Sequence, residues 1–170
     1  MYKRMSKLKK YVLLVIALLI LGFSQTDNDM IWKYRNEISQ CDSSLQLIAL
    51  TAKQYSVSFE TMSTLFLVMK FHYIAEICKT ELIDLGSFIL FFESMINDKD
   101  KEFIAMWTCL KMTTMAMDFD GYANEIAEIL SNEKNEGLVL AGGKLKNKLA
   151  EVAGWLRDAY GNYEKYLDME

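Results

Sequence analysis

Phe59–Asp84 reads FETMSTLFLVMKFHYIAEICKTELID, and this stretch decides the fold. Met62, Leu65, Phe66, Leu67, Val68, Met69, Phe71, Tyr73, Ile74 and Ile77 leave almost no polar face in its middle. A helix that is apolar nearly all round belongs inside a bundle, so the pattern predicts a central helix buried on most sides. Lys70, His72 and Glu76 interrupt the run, and each charge would cost a few kcal/mol in lipid, which argues against a transmembrane span. Val57 and Ser58 supply a staple and an N-cap for the start of this helix.

Working outward, the expectation is an all-α fold, a compact bundle of about five to six helices. The chain has 170 residues with no proline and only 8 glycines, too few turn-formers for a many-stranded β fold. Asp27–Tyr55 is expected to be one kinked helix or two short ones, broken at the polar run Ser39–Ser44. After the central helix, Gly86 is a stop and Ser87 opens a short helix to Asn97–Asp98. Asp100–Met117 follows, with Phe103, Met106, Trp107, Leu110 and Thr114 along one side, then a turn at Asp118–Gly121, a helix from Tyr122 to Leu130 and a polar break at Ser131–Gly137. In the last helix Leu145, Leu149, Val152, Leu156, Ala159, Tyr163 and Tyr166 form a heptad-like stripe that calls for a partner, expected to be the central helix.

The N-terminus carries an export signal. Lys3, Arg4, Lys7, Lys9 and Lys10 precede an uncharged run of thirteen residues, Tyr11–Phe23, the n-region and h-region of a signal peptide. Thirteen helical residues rise about 20 Å, short of the roughly 30 Å of a bilayer core. Gly22 and Ser24 place small residues for cleavage after Ser24, leaving residues 25–170 as a single helical domain; an uncleaved anchor is the alternative. Either way the positive leader stays inside and the rest is exported, to the periplasm or beyond. That leader holds five of the 19 basic residues and none of the 23 acidic ones, so the remainder carries 14 bases against 23 acids, a net charge of -9. An acidic balance disfavours nucleic-acid binding.

No motif carries chemistry. Gly137–Lys144 lacks the G-K-S/T ending of a phosphate loop. Asp118, Asp120 and Gly121 mimic a calcium loop whose two end positions fall on Ala116 and Ala127. His72 is the single histidine, one helical turn before Glu76, with no nucleophile arranged beside it. Met62, Met69, Met95, Met106, Met112, Met115 and Met117 read as adaptable core filler. No catalytic, metal-binding or cofactor-binding set is expected. Cys41, Cys78 and Cys109 are spaced too widely for zinc, and in an oxidising compartment one disulfide, Cys41–Cys78, is expected, with Cys109 reduced. An offset of about 10 Å along ideal helices would have to be taken up by the kink at Ser39–Ser44.

The function expected is a non-enzymatic protein-binding module, of the kind that neutralises a partner as immunity and inhibitor proteins do. Its partner is expected to have a basic face that meets Asp118, Asp120, Glu125, Glu128, Glu133 and Glu136. The competing readings are a carrier for an apolar ligand such as a lipid and a membrane-anchored helical subunit.

Overall fold

A computed structural model describes residues 26–54 and 59–167. Among these the protein is all helical, with four long helices: α1 (Asp27–Gln54), α2 (Phe59–Ser94), α3 (Asp98–Ser131) and α4 (Glu136–Glu164). The signal segment and the Val57–Ser58 start lie outside the described residues.

Each helix runs antiparallel to its sequence neighbour. Gly86 of α2 sits beside Asn28 and Ile31 of α1, while His72 meets Asp42 further along. Lys70 pairs with Glu125, and Lys111 with Glu81, between α2 and α3. Arg157 of α4 pairs with Asp120 of α3, and Lys148 of α4 with Glu37 of α1 at 2.9 Å. The result is an up-down-up-down bundle in which α4 packs on α3 and α1, not chiefly on α2, which lies across the axis.

The helices are fewer and longer than the sequence suggests because the anticipated breaks at Ser39–Ser44, Gly86 and Asp118–Gly121 are helical, whereas those at Asn97–Asp98 and Ser131–Gly137 are real. At Ser39–Ser44 the Ser43 and Ser44 hydroxyls donate back to the carbonyls of Ser39 and Gln40, and Asp42 is buried against α2. Gly86 is no stop: α2 runs through it to Ser94, and a Cβ there would make ordinary contact with Ile31 Cγ2 and Asn28 Oδ1 of α1 at 3.6 Å. Asp118–Gly121 is not a turn: Phe119 is fully buried and Asp120 is paired. The two breaks among the described residues are capped. Asn97 accepts from the Lys99 amide at 3.1 Å, and Asn135 from the Leu138 amide at 3.0 Å. The start of α1 is a reciprocal box, with Thr26 and Asp29 each accepting the other's backbone N–H at 3.2 Å.

The core runs the length of the axis. Ile38 and Leu45, Phe71, Leu82, Leu85 and Ile89, Met112, Met115, Phe119 and Ile126, and Leu138 and Leu145 are fully buried, one set from each helix. At one level α4 comes so close that a Cβ on Gly142 would lie 2.9 Å from the Phe71 ring and 3.1 Å from a Leu130 methyl. Only glycine fits there without displacing one of them. Among the described residues no helix is long and apolar enough to cross a membrane.

Candidate functional site

The reading of α2 as buried on most sides is corrected. Its inward face is a heptad series, Thr64, Val68, Phe71, Ala75, Cys78, Leu82, Leu85, Ile89 and Phe92, all buried. On its outward face Met62, Phe66, Met69 and Tyr73 follow one another at steps of four, three and four, and they are 56%, 68%, 69% and 67% exposed. These two stripes account for the near-absence of a polar face, since one helix in a four-helix bundle can bury only one of them. On α3, Phe103, Met106, Trp107 and Leu110 share one side as their spacing predicts; that side is exposed, and the core takes Ile104, Ala105, Thr108 and Cys109. Of the methionines read as core filler, Met112 and Met115 are buried and Met95 partly so, whereas Met62, Met69, Met106 and Met117 are exposed.

Beside the outward stripe of α2 lies a polar cluster that joins it to α1. Asp42 is buried, and its carboxylate accepts from His72 Nδ1 at 2.7 Å, Lys79 Nζ at 3.4 Å and Gln46 Nε2 at 3.3 Å. A carboxylate can only accept, so the Nδ1 proton is on His72 and Nε2 is its other ring nitrogen. Lys79 also bonds Glu76 at 2.5 Å, and this hydrogen bond holds the Glu76 carboxyl below its ordinary value despite some opposing desolvation. His72 therefore pairs across to α1, not along α2 to Glu76 as the one-turn spacing suggests. Asp42, the central member, was missed because it sits in the polar run read as a kink. A lone acid amid apolar three- and four-residue steps was the available signal.

Asp42, His72 and Glu76 place one ligand atom each within 4.8 Å of one another, a spacing that suits a cation. The Lys79 ammonium bonded to both carboxylates is that cation, so a metal ion would have to displace it. As acid-base machinery the cluster has an oriented imidazole, but its Nδ1–H is engaged by Asp42, with the Gln46 amide nitrogen 3.5 Å from the same ring nitrogen, and neither residue is a nucleophile. The thiols are held protonated. Burial pushes Cys78 up to about 12 and raises Cys41 and Cys109 as well.

All three cysteines are free, so the expected Cys41–Cys78 bridge is not formed. Level is not the obstacle, since Lys79 reaches Asp42 and brings the two segments alongside each other. Direction is. Cys41 lines a groove between α1 and α4 with Lys144 and Lys148, whereas Cys78 points into the core.

The six acidic residues are divided: Asp118, Glu125 and Glu128 share one side of α3 by their seven- and three-residue steps, while the others lie elsewhere. Asp120 pairs with Arg157 and Glu125 with Lys70 at 2.6 Å. Glu133 turns onto its own loop, accepting from the Lys134 and Asn135 amides at 2.8 Å. Glu136 supplies negative charge to the first turn of α4, where the helix dipole favours it. Asp118 and Glu128 are exposed, almost three turns apart on α3.

Set against known proteins, the chain matches no family model, no curated relative and no solved structure.

Proposed function

We propose that the protein is an exported, non-enzymatic protein-binding module of the immunity or inhibitor type. In this reading it takes its partner on the outward stripe of α2 instead of on the acidic stretch. The observation that carries this is the exposure of Met62, Phe66, Met69 and Tyr73 at a spacing that repeats the one buried inside the bundle. Four large side chains in a row, left in water by the fold itself, form a face of the kind that marks an interaction site. Steps of four and three suit an apolar helix of the partner laid along α2, knobs against holes. The buried Asp42 fixes His72 at the edge of this face, where a polar rim supplies register. The net charge of -9 over residues 25–170 favours a partner with basic surroundings, acting mainly on encounter rate.

The rival apolar-ligand carrier needs interior space, and the bundle axis is filled by Phe71, Phe119, Met112, Met115 and their aliphatic neighbours. A photo-crosslinking residue placed at position 66 or 73, with exposed Asn124 of α3 as control, tests the reading in the native host. The expected result is a discrete protein adduct from 66 and 73 but not 124. Excess unlabelled protein should compete it away, and a Phe66→Gln, Tyr73→Gln variant should not. Adducts identical from all three positions would refute it.

A further inference from the structure

A second exposed apolar surface lies at the other end of α2. Trp32 of α1 and Leu90 of α2 line one groove with Gly86. Phe91 is next on α2, Ile96 in the following loop is 96% exposed, and Phe103 and Trp107 of α3 make an edge-on ring contact at 6.3 Å. The ion pair between Glu81 and Lys111 sets the α2–α3 register that brings Phe91 level with the first turns of α3. This is also the end where the chain enters α1, because Tyr163 Oη donates to Asp27 at 3.0 Å and Asn28 lies against Gly86.

The sequence places the apolar run Tyr11–Phe23 four residues before Asp27. Four residues of extended chain reach about 14 Å at most. Whatever holds that run holds this end of the bundle within the same distance.

We propose that the face formed by Trp32, Leu90, Phe91, Ile96, Phe103 and Trp107 rests on a phospholipid bilayer, with the N-terminal apolar segment retained as its tether. Two tryptophans and two phenylalanines around aliphatic side chains have the composition of a membrane-interface belt, in which amphipathic rings sit at headgroup level. Lys99, Asp100, Lys101 and Glu102, at the rim of this face, carry both signs of charge, as suits a surface that meets zwitterionic as well as anionic headgroups. The tether makes the contact intramolecular in effect, so a face too weak to bind vesicles alone is held on the surface by effective concentration. Met62 lies 28 residues from Leu90, roughly 40 Å along α2. The bundle then rests on the membrane by the α1–α2–α3 side of this end, with Trp155 on the side turned away, and its docking stripe lies at the other end. This inference takes the retained segment over cleavage after Ser24 and makes no use of the docking stripe, so either can fail without the other.

The full chain, reconstituted in vesicles of phosphatidylcholine and phosphatidylglycerol, provides the test through its three tryptophans. Single-tryptophan variants, the other two replaced by Phe and checked for unchanged melting, are quenched with lipids bearing a nitroxide near the headgroup. Trp155, which packs against Tyr34 at 5.5 Å on the α1–α4 side, is the internal control. Trp32 and Trp107 should be quenched at least twofold more than Trp155. Leu90→Gln with Phe91→Gln and Phe103→Gln should abolish the difference while the chain stays in the membrane fraction. Equal quenching of all three tryptophans overturns the proposal, as does recovery of the exported chain as a soluble species starting at Gln25. Crosslinking from position 103 to a protein in place of lipid overturns it too.

Discussion

Two stripes of the same spacing have opposite fates in this molecule. On α4, Leu145, Leu149, Val152, Leu156, Ala159 and Tyr163 are all buried, covered by α3 and α1. On α2, Met62, Phe66, Met69 and Tyr73 repeat the spacing and stay in water. Periodicity alone cannot separate them. What separates them is that α2 also carries an inward series from Thr64 to Phe92, which already occupies its share of the axis. A helix with one apolar stripe tells the reader which face is inside, whereas a helix with two tells only that something must cover the second.

The comparison breaks most sharply on inner-face truncation. Leu149→Ala is expected to cost about 2–5 kcal/mol, because a fully buried leucine leaves a cavity in packing that relaxes only in part. Phe66→Ala on the outer stripe should stay within about 0.5 kcal/mol. Urea unfolding of both variants measures this, and a comparable loss at Phe66 would mean that the outer stripe is covered within the molecule.

A smaller effect sharpens the account of α4. Gly142→Ala should destabilise by about 1–3 kcal/mol, since its Cβ would press on the Phe71 ring and Leu130. Gly143→Ala, next along the same helix with open space around its Cβ, should stabilise by about 0.5–1 kcal/mol from helix propensity alone. Opposite signs at adjacent positions, read from melting temperatures, are the expected signature.

The inner face of α2 also has a pH signature. Burial pushes the Cys78 thiol up to about 12 from an ordinary value of 9.0. Below pH 9 both folded and unfolded chains keep the proton and stability is unaffected by this group. Between pH 9 and 12 the unfolded chain releases it while the folded chain holds it, so stability falls as pH rises, by about 1.4 kcal/mol per unit at most. Cys78→Ala should flatten that alkaline slope in urea titrations; an unchanged slope would show that the thiol is not the group responsible.

The helical class, the α4 stripe and the burial of Cys109 were legible in the sequence, since each rests on local spacing. So were the breaks at Asn97–Asp98 and Ser131–Gly137, but the false ends at Ser39–Ser44, Gly86 and Asp118–Gly121 could not be told from them. Counting the apolar steps of α3 straight through Asp118–Gly121, from Met112 and Met115 to Phe119, Ala123 and Ile126, would have shown an unbroken inner face. Asp and Gly read locally as a turn because intrinsic preference takes no account of the arginine that α4 supplies across the groove. The Asp42 cluster was hidden for the same reason: its partners lie 30 and 37 residues away on the next helix. The outer stripe shows in the sequence but looks like core there, because the number of neighbours a helix has is a property of the whole bundle.

The measurement that bears most directly on this account is the urea unfolding midpoint of the full chain carrying Met62→Gln, Phe66→Gln, Met69→Gln and Tyr73→Gln. Glutamine keeps helix propensity close to methionine's, so burial is what the substitutions probe. If the bundle leaves this stripe free for a partner, all four changes together shift stability by less than about 1 kcal/mol, with the m-value unchanged. A loss beyond about 3 kcal/mol would contradict the account, because it would place the stripe in a core and not on a docking face.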